Sequence, residues 1–235
     1  MSIQGMREWV KTHKILIGII LGLLVLSLLL TYSIGSLTKY GDLSGGANQT
    51  DYSGFEKALT SERAELEANP TDYSANYNLA NTLYEYARQL ALSEETENQD
   101  KSFEMLKEAA PLYIAALDNA PEELNDLARA QMYTKAAQCY ASTNQESVAA
   151  DYYQEALKLA PADLDTVSAY AQYLAFSGDY DASVQVLNDL IANTDDEATI
   201  SSAKSLIEQL QALQKSAESK DNAEEGSTEK TEDAQ

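Results

Sequence analysis

Moving a proton near neutral pH takes a histidine or a carboxylate of shifted affinity, and covalent attack takes an activated Ser, Cys or Lys. One His and one Cys occur in the chain. His13 lies in the basic stretch Arg7 to Lys14, directly before a long apolar run, which is the setting of a membrane-interface residue rather than of a base. Cys139 has neither a His nor a basic cluster beside it in sequence, so it reads as a small packing residue of a helix. A single His and a single Cys make no zinc set, and neither a metal nor a cofactor is expected. Carboxylates are plentiful, and two of them suitably spaced would suffice for glycoside hydrolysis, yet no spacing singles out a pair. Glu94, Glu95 and Glu97 read as a solvated turn, while Glu122/Glu123 and Asp195/Asp196 read as charges at helix starts, where the dipole favours them. Asn48 to Thr50 spells a glycosylation sequon that no other feature supports. The chain is expected not to be an enzyme.

Charge narrows the choice of partner. The 235 residues carry 38 acids against 16 bases, a net −22, and without Arg7, Glu8, Lys11 and Lys14 the balance is 37 against 13, or −24. Nucleic-acid binding rests on neutralising phosphates with Lys and Arg, so it is excluded. The early bases have another use. No charge occurs across residues 15–38, and most of positions 15–30 are Ile, Leu or Val. As a helix that run reaches roughly 36 Å, enough for a bilayer core of about 30 Å. Its basic flank, residues 1–14, is expected to stay in the cytoplasm and the bulk of the chain to cross, giving a single-pass cytoplasmic-membrane protein with its N-terminus inside. A cleaved secretory peptide, cut beside Ser33, Gly35 or Ser36, is the alternative reading. Residues 39–52, with several Gly and no apolar period, read as a flexible linker.

Helices are expected from residue 53 to 214. Ser53 and Glu56 have capping-box spacing, and Phe55, Leu59 and Leu66 follow a helical period up to Pro70. Shifting the chain by 34 lays Tyr133, Ala136, Ala137, Tyr140, Ala149, Tyr153 and Ala156 on Val167, Tyr170, Ala171, Leu174, Ser183, Leu187 and Leu190. A shift of 40 lays Ala109, Tyr113, Ala116 and Pro121 on Ala149, Tyr153, Ala156 and Pro161. The Ala80 to Ala137 separation then implies a 17-residue insertion in the first copy, much of it within Leu90 to Lys101, which lengthens two helices and their turn. Pro111 lies inside the second of these and predicts a kink, or else two short helices meeting near Ala110. Ile200, Ala203, Ile207 and Leu210 form the stripe of a terminal capping helix, and eight helices are counted after the apolar run. Residues 215–235, acid-rich and without Leu, Ile, Val or aromatics, read as a disordered tail.

A helix–turn–helix unit of 34 residues with Ala at set points and Pro after its second helix resembles the tetratricopeptide repeat (TPR), over roughly residues 72 to 192. Together with the apolar run, which predicts one transmembrane helix, the resemblance implies an all-α chain that continues as a TPR-like α-solenoid of about three repeats plus capping helices. It also implies protein binding in a concave groove lined by the first helices of the repeats. Carried onto this sequence, the groove positions are Ser74, Tyr77, Asn81 and Tyr84, then Gln131, Thr134, Gln138 and Ala141, then Asp165, Ser168, Gln172 and Ala175. Gripping a terminal carboxylate, as one subfamily does, is disfavoured, since Tyr77, Lys135, Asp165 and Ala169 stand where Lys, Asn, Lys and Arg would be needed and only Asn81 agrees. The expected function is that of a membrane-tethered extracytoplasmic scaffold or adaptor for peptide or protein partners, in envelope assembly or at the translocon exit of a bacterium. A self-association module and, behind it, a carboxylate-dependent hydrolase are the alternatives.

Overall fold

The computed structural model describes residues 51–232, with side chains to Ala217. The expected cytoplasmic flank, the apolar run at 15–38, His13 and almost all of the linker lie outside the described residues. Among the described residues no helix is long and apolar enough to cross a membrane. They form eight α-helices and no strand: α1 Ser53–Ala68, α2 Tyr73–Ala91, α3 Thr96–Asp118, α4 Asp126–Ser142, α5 Glu146–Leu159, α6 Leu164–Phe176, α7 Tyr180–Ala192 and α8 Glu197–Glu232. The chain divides into two compact units between Leu159 and Ala160.

In the first unit each helix packs against its sequence neighbours, α1 on α2, α2 on α3, α3 on α4 and α4 on α5. Alanines make this close approach feasible: Ala80, Ala87, Ala109, Ala116, Ala136, Ala137, Ala149 and Ala156 have no exposed surface. Leu79, Leu83, Leu90 and Tyr113 fill the space between them and are equally buried. Asn76 is buried as well, and its amide donates to the carbonyls of Pro70 (2.9 Å) and Asp72 (2.8 Å), pinning the chain between α1 and α2. The α1 start departs from the expected capping box. Ser53 is already helical, its N–H donates to Asp51 Oδ1 (2.9 Å), and the preceding Tyr52 makes no side-chain cap. Glu56 is drawn away instead by charge-assisted partners, accepting from Lys101 Nζ (3.1 Å) and Tyr86 Oη (3.3 Å).

The insertion does lengthen both helices, to 19 residues in α2 and 23 in α3. Helix α3 runs unbroken through Pro111, so there are not two short helices at Ala110. Pro111 is exposed, which leaves water able to serve the carbonyl that the missing N–H deserts.

The turn between α4 and α5 has Asn144 in the left-handed region (φ 61°) and closes with Gln145 N–H donating to Tyr140 O (2.9 Å). Thirty-four residues on, the turn between α6 and α7 has Gly178 at φ 88° and Asp179 N–H donating to Leu174 O (2.9 Å). The sequence period is thus present in the backbone.

The second unit contains α6, α7 and α8. Asp163, Asp179 and Asp196 each accept a backbone N–H three residues on, at Thr166, Ala182 and Thr199. Val167, Ala171, Leu187, Leu190, Ala203 and Leu210 are buried. Ser183, standing where the repeat pattern has Ala, has no exposed surface and donates its hydroxyl to Ala171 O (2.6 Å), so a polar side chain is tolerated between helices. The stripe predicted for α8 packs on α7 and α6, with Ala203 and Leu210 buried and Ile200 and Ile207 half-buried. That helix continues to Glu232, across the segment expected to be disordered from residue 215. Ten of residues 215–232 are Glu, Lys or Ala, all of them strong helix formers, and no Pro interrupts them.

Candidate docking face

Two hydrogen bonds set the register of α2 against α4. Lys135 Nζ donates to Asn81 Oδ1 (2.6 Å), and Tyr84 Oη donates to Gln138 Oε1 (2.6 Å). Both pairs are 54 residues apart, so the two helices run parallel at one constant offset. Counted at the same offset, Tyr77 corresponds to Gln131 and Tyr73 to Leu127.

These contacts belong to a network that crosses three helices. Buried Tyr113 of α3 donates its hydroxyl to Asn81 Oδ1 (2.9 Å), which therefore accepts from both a phenol and an ammonium. The Lys135 ammonium lies 5.4 Å from the Tyr84 ring centre and 5.9 Å from that of Tyr113, near enough for both π faces to stabilise the cation. Burial pushes the titration of both phenols above the ordinary range, so each stays a neutral donor.

What is left unclaimed matters more than what is paired. The amide nitrogens of Asn81 and Gln138 make no hydrogen bond among the described residues, and both residues are only half-buried. Lys135, also half-buried, has no carboxylate partner among the described residues, and one of its three protons is engaged by Asn81. Tyr77 stacks on Tyr73 with ring centres 5.7 Å apart, and Leu127 is 45% exposed. This face thus offers N–H donors beside flat aromatic surface. Such a surface suits carbonyl or carboxylate oxygens flanked by apolar groups.

Of the groove residues expected from the sequence, Asn81, Tyr84 and Gln138 come together here, and Ser74, Tyr77 and Gln131 lie along the same two helices, Ser74 and Gln131 exposed. Thr134 is buried and donates to Ala130 O of its own helix (2.9 Å), while Ala141 is buried too. Asp165, Ser168, Gln172 and Ala175 belong to α6 of the second unit. Asp165 is exposed, Gln172 is half-buried, Ala175 is buried, and Ser168 is buried with its Oγ lacking a partner among the described residues. Lys135 is the residue that sequence reasoning passed over. Its one signal there was a cation at a position where an amide was sought.

Of the residues weighed for catalysis, His13 lies outside the described residues and Cys139 is a packing side chain. Cys139 has no exposed surface, and burial raises its thiol well above the ordinary value, the opposite of activation. A cleft between α1 and α3 is lined by Arg63, Lys101, Glu104, Met105, Lys107 and Glu108. Both of its carboxylates are committed, Glu108 in a bidentate pair with Arg63 (2.7 and 3.2 Å) and Glu104 near Lys107 (3.8 Å). No group of three or more metal-ligating side chains occurs among the described residues. No protein-family model matches the chain, and no curated protein matches it either.

Proposed function

We propose that this chain is a membrane-tethered scaffold of tetratricopeptide type that docks an extended segment of a partner protein on the α2–α4 face. The observation that carries the reading is the parallel pair of helices with unclaimed amide and ammonium protons beside tyrosine rings. An extended segment has carbonyls to meet such donors and side chains to lie on the rings. The 34-residue recurrence of the α4–α5 and α6–α7 turns supports the repeat assignment. The apolar run at 15–38 and the bases before it support an anchor that places the repeats outside the cytoplasmic membrane of a bacterium, in envelope assembly or beside the translocon.

Site-specific photocrosslinking of the full chain in native membranes tests this. A crosslinker at exposed Gln131 or Ser74 is expected to capture a protein partner. The same group at exposed Asp151 of α5 is expected to capture none. Equal capture at all three positions, or none above a version reduced to residues 1–52, overturns the proposal.

A further inference from the structure

The docking face is chemically uneven along its length. Toward the start of α2 and α4 stand the Tyr73–Tyr77 stack and exposed Leu127, and further along stand Asn81, Lys135 and Gln138. Leu127 and Lys135 are eight residues apart, about 12 Å along the helix, a distance that an extended chain covers in roughly three to four residues.

Lys135 is also set apart among the cations. Arg63, Arg88, Lys101, Lys107 and Lys158 each lie within 4.0 Å of a carboxylate. Arg129 gives its guanidinium to the carbonyls of Leu124 (3.1 Å) and Pro121 (2.8 Å), and Lys57 is exposed. Lys135 is half-buried, held against two rings, and has no carboxylate within 4.0 Å among the described residues. A partly desolvated ammonium favours an anionic partner.

We infer that the α2–α4 face selects an internal partner segment carrying an apolar side chain three or four residues from an Asp or Glu, with the apolar group on Tyr73, Tyr77 and Leu127 and the carboxylate on Lys135. This rests on the docking reading above and adds to it a charge, a spacing and a direction. The net −22 of the chain repels acidic ligands in general, so preference for one must come from this contact.

The test uses the full chain in nanodiscs and fluorescent peptides blocked at both ends. One series has Leu followed three residues later by Glu, a second replaces that Glu by Gln, and a third moves it to one or seven residues from Leu. The Glu peptide is expected to bind about tenfold tighter than the Gln peptide, and the shifted peptides no better than the Gln peptide. In Lys135→Met, which keeps most of the aliphatic stem, the Glu/Gln preference is expected to fall below about twofold. The spacing series needs no altered protein, so it decides the matter even if Lys135→Met folds poorly. Equal affinity for Glu and Gln peptides, or preference only for a free C-terminal carboxylate, overturns the inference. If such peptides still crosslink at Gln131, the docking reading stands without it; if none crosslinks there, that reading falls too.

Discussion

The two units are built from the same kind of hairpin and held by different chemistry. In the described part of the first unit, residues 51–159, eight bases stand among 20 acids, whereas residues 160–214 have nine acids and only Lys204. Every salt bridge among the described residues lies in the first unit. Its helices are also joined by side-chain bonds such as Tyr113 to Asn81 and Tyr84 to Gln138. Side-chain caps start helices in both units, at Asp72 and Asn125 in the first and at Asp163, Asp179 and Asp196 in the second, where Ser183 to Ala171 is a bond between helices. Caps fix where a helix starts, and side-chain bonds between helices fix which polar groups meet. The first unit adds to its caps a network of side-chain bonds across three helices, which is the device that can present chemistry.

The contrast can be broken most severely at Tyr113. Tyr113→Ala removes a wholly buried ring and is expected to destabilise the chain by about 3–5 kcal/mol in urea unfolding followed by circular dichroism. Leu187→Ala in the second unit should cost about 2–5 kcal/mol by the same cavity mechanism, so core loss alone does not separate the units. Removing single hydroxyls does. Tyr113→Phe is expected to cost about 1 kcal/mol and also to weaken peptide binding, since Asn81 then loses a partner that orients it. Ser183→Ala is expected to cost about 1 kcal/mol or less and to leave peptide binding unchanged. If Ser183→Ala altered binding as much as Tyr113→Phe, the division of labour would not hold.

How far the sequence anticipated this differs between the two levels of structure. Helix count, the 34-residue period, the lengthened α2 and α3 and the α8 stripe all follow from where Ala, Leu and Tyr recur, because close packing penalises any other placement. The start of α1 was misjudged at Ser53 because a capping box counts only local partners, and Lys101, 45 residues away, competes for Glu56. The candidate docking face was half legible. Position within the repeat pointed to Asn81, Tyr84 and Gln138, but Thr134 is buried, and Lys135 gains its meaning from two rings on other helices. Such juxtaposition has no local trace in a sequence.

Lys135 also sharpens the contrast energetically. A half-buried ammonium without a carboxylate gives up hydration for one hydrogen bond and two ring contacts, so its net contribution to stability is small. Lys135→Met is therefore expected to change unfolding stability by less than about 1 kcal/mol in either direction. A loss of about 3 kcal/mol or more in the same unfolding measurement would mean that the cation holds α2, α3 and α4 together, and the face would then be scaffold rather than recognition surface.

The smallest expected effect concerns pH, and its sign differs between the units. Glu62 of α1 accepts from Thr82 Oγ1 (3.0 Å) with one carboxylate oxygen, while the other is buried without a partner among the described residues. Desolvation raises its folded-state titration above the ordinary 4.5, helped by the nearby charge of Glu65. A raised carboxyl favours the folded state below its unfolded titration point and loses that advantage as pH climbs through the folded one, so at pH 7 Glu62 opposes folding. Glu62→Gln should thus raise the urea midpoint slightly at pH 7, and the gain should vanish near pH 4. Asp196 at the start of α8 behaves oppositely, because hydrogen bonds from Thr199 lower its titration below the ordinary 3.8. Its contribution is present above that value and lost as pH falls through the lower, folded one, so Asp196→Asn should weaken the second unit at pH 7 and converge with the unaltered chain below about pH 3. Urea midpoints that moved in the same direction at pH 7 for both substitutions would show that these carboxyls respond to the overall negative charge and not to their own surroundings.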